Sequence, residues 1–115
     1  MQEIFISVSG IPPSLNHYVR HCRGGHFRTE EAESFAQKVA LAALRYRGME
    51  VEAEEVEIHV TLGPKQRGDL DNFCKVPLDS LVRCGVIRSD AAITRLVVEK
   101  YRSDNPHTDI FVRWE

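Results

Sequence analysis

Residues 56–72 read VEIHVTLGPKQRGDLDN. Val56, Ile58, Val60 and Leu62 alternate with Glu57, His59 and Thr61, a period of two that makes a strand with one apolar and one polar face. The strand stops at Gly63-Pro64, and residues 63–68 form a short basic loop carrying Lys65 and Arg67. The string then ends on two acids separated by one residue, Asp69 and Asp71. A helix is expected to begin near residues 69–71 and to end at Gly85. Pro77 lies inside that helix and removes one backbone bond, so it either kinks the helix or marks a later start.

Upstream, residues 3–9 alternate with Ile4, Ile6 and Val8 on one face, and the chain therefore opens as a strand. Residues 10–25 read as one long loop, with Pro12-Pro13 and Gly24-Gly25 among polar residues. A helix is expected over residues 29–47, with Thr29 as N-cap and Glu30, Glu31 and Glu33 at the positive end of its dipole. Phe35, Val39, Ala43 and Tyr46 supply its buried stripe, and Gly48 can take a left-handed cap. Downstream, residues 95–102 read as a strand. Ser103-Asp104-Asn105-Pro106 is a turn, and Thr108, Ile110, Val112 and Trp114 alternate in a last strand. The order is β-α-β-α-β-β, which predicts one α+β domain over residues 1–115 with helices packed on a mixed sheet.

The chain has 115 residues, enough for one core but with little surplus burial, so a dimer would help. No apolar run approaches a membrane span, and the first residues lack the pattern of a secretory signal, which predicts a cytoplasmic protein with no membrane partner. Cys22, Cys74 and Cys84 are odd in number and show no CxxC spacing. That argues against a disulfide framework or a zinc site and for structural thiols. The net charge is −2, an unfavourable bulk sign for a nucleic-acid protein. Its distribution matters more. Glu50, Glu52, Glu54, Glu55 and Glu57 lie together, whereas Arg20, Arg23 and Arg28 crowd with His17, His21 and His26, and Lys65 with Arg67 makes a second basic group.

In extended backbone the side chains of Asp69 and Asp71 point to the same side. Two carboxylates converging from a strand end or turn suit a hard divalent cation such as Mg²⁺, which keeps room for a phosphate and an attacking water. Asp90 follows Arg88-Ser89 after the helix and becomes a third ligand if the helix returns the chain beside its start. Lys75, four residues after Asp71, lies on the same helical face and could neutralise charge on a phosphate. The set fits phosphodiester hydrolysis better than glycosidase or protease chemistry. Capping is the competing account: Asp69 or Asp71 can be an N-cap, but one cap uses only one Asp. No P-loop, HExxH motif or nucleophile elbow offers other chemistry, and His59 reads as a histidine on the polar face of its strand.

The string Asp69-Leu70-Asp71-Asn72, then Lys75, then Val86 through Asp90-Ala91-Ala92, resembles the RusA family of Holliday-junction resolvases. The segment Pro12-Pro13-Ser14-Leu15-Asn16-His17-Tyr18-Val19-Arg20-His21 extends the resemblance over nearly the whole chain. The resemblance implies a homodimeric, Mg²⁺-dependent endonuclease that cuts four-way DNA junctions by paired nicks, with Mn²⁺ as a substitute ion. Asp69, Asp71 and Asp90 would then be metal ligands, Lys75 the catalytic cation, and Asn72 a residue that holds the turn or supports a ligand. DNA would meet Asn16, Tyr18, Arg20, Arg23, His26 and Arg28, with Lys65 and Arg67 beside the acids. A non-cleaving branched-DNA binder and a metal-dependent nuclease without junction preference are the alternatives. Small resolvases of this kind are often phage-associated, so a phage or prophage origin is an expectation too. Ser89 stands where the family often has a second acid.

Overall fold

The computed structural model describes residues 1–13, 19–22 and 25–115, with side chains described for residues 1–13 and 29–115. Among the described residues there are six strands and two α-helices: β1 Gln2–Ser9, β2 Val19–Cys22, β3 Gly25–Arg28, α1 Glu30–Ala42, β4 Glu55–Leu62, α2 Lys75–Arg83, β5 Arg95–Arg102 and β6 His107–Trp114. The α+β architecture is as expected. Four strands form one mixed sheet in the order β1-β6-β4-β5. β6 runs antiparallel to both β1 and β4, while β4 and β5 are parallel.

One expectation is corrected. Residues 10–25 do not form a continuous loop, because β2 and β3 pair as an antiparallel two-stranded sheet with Val19 opposite Arg28 and Cys22 opposite Gly25. The element order therefore gains a hairpin between β1 and α1. Its two runs of four residues carry no apolar alternation, so only the Gly24-Gly25 pair signals a hairpin in the sequence.

The alternating strands bury one face. Ile4, Ile6 and Val8 of β1, Val56, Ile58, Val60 and Leu62 of β4, and Ile110 and Val112 of β6 meet the helices. α1 contributes Ala32, Phe35, Ala36 and Val39, and α2 contributes Val76, Pro77, Leu78 and Leu81. Burying such side chains is worth about 1.5–3 kcal/mol each. Thr29 caps α1 as expected, accepting from the Ala32 N–H at 3.2 Å. That helix ends earlier than its periodicity suggests, at Ala42, and a 3₁₀ turn over Leu44–Tyr46 continues the chain before Gly48 turns left-handed at φ +85°. Pro77 marks a later start for α2: at the third position of the helix it needs no intrahelical N–H bond, so no kink is required.

The other face of the sheet carries the polar alternation. Arg113 donates to Glu3 at 2.6 Å, to Glu57 at 2.9 Å and to Glu55, which ties β1, β6 and β4 together. Glu55 and Glu57 of the acidic run are thereby engaged on the sheet face away from the helices. The Arg113 guanidinium, with His59 next in weight, holds the Glu57 carboxyl below its ordinary value of 4.5. A depressed carboxyl contributes stability that is present above the unfolded value and lost as pH falls through the folded one. Glu57→Gln should therefore lose less stability than the wild type between roughly pH 5 and 3. Urea midpoints across that range would show it, and parallel pH profiles for the two proteins would remove the effect.

Candidate active site

β4 and β5 are parallel neighbours, so the chain between them must cross over one sheet face. The acids lie on that crossover, at the carboxyl end of β4. Asp69 is extended, Leu70–Phe73 forms a 3₁₀ turn, and the Asn72 N–H donates to the Asp69 carbonyl at 3.0 Å to close it. Asn72 thus holds the turn through its backbone. Phe73 is 1% exposed and anchors the turn in the core. Gly68 lies flat against its ring: a Cβ there would stand 2.1 Å from Phe73 Cζ, far inside contact distance. The preceding loop is braced from β5. Lys100 Nζ donates to the Gly68 carbonyl at 3.1 Å, and Arg102 Nη1 donates to the carbonyls of Gly63 and Gln66 at 2.8 and 2.9 Å.

Capping does not account for the acids. Asp69 makes no side-chain cap bond, and the N-cap of α2 is Cys74, which makes none either. Asp71 is exposed, as is Asp69. The Cys74 thiol donates to the Asp71 backbone carbonyl at 3.2 Å. Burial first, and then the Asp71 charge, push that thiol up and keep it protonated, in line with a structural role. Buried Cys84 is raised for the same first reason.

Asp90 is delivered by a backbone seam. Gly48 and Glu50 N–H groups both donate to the Gly85 carbonyl, Val51 N–H to Val86, and Arg88 N–H to Val51, all between 2.9 and 3.0 Å. Gly85 is left-handed at φ +77°, and a Cβ on it would press on the Gly48 backbone at 3.2 Å. Beyond the seam, Ser89 Oγ accepts from the Ala91 N–H at 3.0 Å and the Asp90 carbonyl from Ile93 at 3.2 Å. Ser89 is a turn residue here.

Lys75 joins the two acidic segments. Its backbone follows the acidic turn, and its ammonium lies 3.2 Å from Asp79 and 3.9 Å from Asp90. The expected helical pairing of Lys75 with Asp71 is replaced by pairing with Asp79, because Asp71 belongs to a 3₁₀ turn rather than to α2. Asp79 is a partner of Lys75 not anticipated from the sequence, although its i+4 spacing signals it. Lys100 was missed as well; only strand pairing brings it to Gly68.

Among the described residues, Asp69, Asp71 and Asp90 do not form a group with ligand atoms within 4.8 Å of one another; Glu57, His59 and Glu99 do. The donor chemistry of the three aspartates nonetheless suits a hard cation: exposed carboxylates, free of caps, with a lysine between their segments. Lys65 and Arg67 are exposed on the braced loop. Arg20, His26 and Arg28 sit on the β2–β3 hairpin, whose side chains are outside the description, and Asn16, Tyr18 and Arg23 lie outside the described residues. No helix among the described residues is long and apolar enough to cross a membrane.

Exposed Asp69 and Asp71 thus lie where the crossover leaves β4, and exposed Asp90 lies on the segment that enters β5, 3.9 Å from the Lys75 ammonium. The family model described as Endodeoxyribonuclease RusA matches residues 10–113. The crossover junction endodeoxyribonuclease RusA of Escherichia coli (strain K12) is 30% identical over 92 residues, covering 77% of this chain and 76% of that protein. Its counterpart from Enterobacteria phage 82 is 29% identical over the same span. The chain belongs to the RusA family of endodeoxyribonucleases.

Gly68→Ala tests the seating of the acidic turn. Overpacking against Phe73 should cost about 1–3 kcal/mol, and the turn should shift with it. The check is a denaturant midpoint together with nuclease activity; a variant as stable and active as wild type would show that the close approach is not needed.

Proposed function

We propose that this chain is a Mg²⁺-dependent, structure-selective endodeoxyribonuclease that resolves four-way DNA junctions by paired nicks. One observation supports this reading: Asp69 and Asp71 are exposed two residues apart on a braced turn, neither engaged in capping, and Lys75 after that turn lies 3.9 Å from Asp90. Asp69, Asp71 and Asp90 would hold the ion, with Mn²⁺ as a substitute. When bound, such an ion supplies Lewis-acid polarisation of the phosphate and lowers the pKa of water. The chain supplies the rest. Lys75 places a positive charge where negative charge gathers on the phosphate oxygens, and Asp79 steadies the ammonium before DNA arrives. Gly68 and Phe73 set the height of the turn, while Lys100 and Arg102 keep the loop in place.

Junction selectivity needs two sites acting together, so the working unit in this reading is a homodimer. Lys65 and Arg67 lie next to the acids on an exposed loop and are suited to backbone phosphates. The segment carrying Asn16, Tyr18, Arg20, Arg23, His26 and Arg28 extends the same surface in this reading. The phage 82 relative supports phage DNA processing as the setting.

A synthetic four-way junction in Mg²⁺ tests this beside duplex, flap and single-stranded DNA. Preferential paired nicking of the junction is expected, with Asp71→Asn abolishing it and Lys75→Ala lowering the rate by about 10²–10³-fold. Absent cleavage, or equal cleavage by Asp71→Asn, would overturn the proposal; equal cutting of all substrates would leave a nuclease without junction preference. Lys65→Ala with Arg67→Ala should weaken binding evenly across sequences. The salt dependence of log K should become shallower by up to about 0.9 per lost phosphate contact.

A further inference from the structure

The polar face of the sheet, on the side away from the helices and the acidic turn, holds a cluster that the nuclease reading does not use. Strand alternation places Glu57 and His59 on that face of β4, and the parallel register sets Glu99 of β5 beside His59. His59 Nε2 lies 2.6 Å from Glu57 Oε2 and 3.1 Å from Glu99 Oε1, and the three ligand atoms are within 4.8 Å of one another. We propose that Glu57, His59 and Glu99 form a second metal site, for a transition-metal ion of the Zn²⁺ class.

The geometry suits this. Bonds of about 2.0–2.1 Å to nitrogen and oxygen put neighbouring ligand atoms roughly 2.9–3.4 Å apart in octahedral or tetrahedral coordination. The 3.1 Å distance to Glu99 falls in that range and the 2.6 Å distance to Glu57 lies just below it, so only small side-chain shifts are needed. Two ligands at i and i+2 on one strand, with the third across on its neighbour, give a three-point face that leaves positions open on the solvent side. Glu57 and His59 are about one-fifth exposed and Glu99 about half, so an ion can enter and exchange.

The supports around the cluster fix the ligands. The His59 ring is flanked by Phe111 and Tyr101, with centroids 5.3 and 5.5 Å away. Arg113 holds Glu57 by Oε1 and leaves Oε2 toward the imidazole. The Tyr101 hydroxyl donates to Glu99 Oε1 at 3.0 Å. Outer partners of this kind orient ligands and tune affinity. The imidazole selects a borderline ion over Mg²⁺, so the site and the aspartate site differ in the metal they prefer. This departs from the reading of the cysteines as evidence against zinc, since none of these ligands is a cysteine. The competing arrangement is an ion-pair cluster in which a protonated His59 bridges the two glutamates.

The test uses the full chain, with Zn²⁺ followed by calorimetry and Co²⁺ by visible absorption. One ion per chain, with a nitrogen-ligated Co²⁺ spectrum, is expected for wild type. His59→Ala and the solvent-facing Glu99→Gln should each weaken binding tenfold or more, with folding checked by circular dichroism. Asp71→Asn should bind Zn²⁺ as wild type does, which separates this site from the nuclease site. Zn²⁺ should raise the melting temperature of wild type and not of the two ligand variants. The inference is overturned if wild type binds neither ion, if His59→Ala binds as tightly as wild type, or if Asp71→Asn abolishes binding. Failure of junction cleavage would leave it standing.

Discussion

Parallel pairing of β4 with β5 is the constraint on which the rest of this molecule depends. Strands running the same way cannot be joined by a tight turn, so residues 63–94 must travel back across the sheet. That return path carries the candidate site. The acidic turn sits where the path leaves β4, Lys75 opens the helix that spans it, and Asp90 lies on the segment that feeds β5. β5 then supplies Lys100 and Arg102 to brace the loop that began the excursion. A single topological demand therefore brings together residues spread over more than thirty positions.

Packing turns this path into a defined shape. Phe73 is buried beneath Gly68, so the turn between them has little freedom in height. α1 and α2 are also joined at the surface, where Arg83 donates through both Nη atoms to the Glu33 carboxylate at 3.2 Å. Exposed pairs of this kind add little energy, and their value lies in orientation. The core beneath the helices supplies the stability, while Lys100 and Arg102 hold the backbone of the loop that leads to the acidic turn.

The strands of the main sheet were legible because each has one wet and one dry face, and period-two alternation reports that contrast directly. Thr29 was legible as a cap because a hydroxyl before a run of acids has a local task. Spacing and the family pattern nominate Asp69, Asp71, Asp90 and Lys75 together, but not the partners that the fold gives Lys75. Lys75 pairs with Asp79 because the chain chooses a 3₁₀ turn before α2, a choice that depends on Phe73 reaching the core. The hairpin was missed because its runs bear no apolar alternation. His59 looked like an ordinary strand histidine because Glu99 is forty residues away in the chain and adjacent only after β4 and β5 pair. Local patterns encode faces and caps; cross-strand neighbours are written only in the fold.

The seam that carries Asp90 has a further consequence, for how this protein can change over generations. Its bonds run from main chain to main chain, so no side chain makes them, and exposed Arg88 contributes only its N–H. Composition there is restricted by the close approach of Gly48 and Gly85, by the left-handed backbone of Glu50 and by the burial of Val51 and Val86. Exposed residues around Asp90 can drift while the backbone that carries it keeps its path. Under the proposed function, contacts with substrate can diversify without that path being rebuilt.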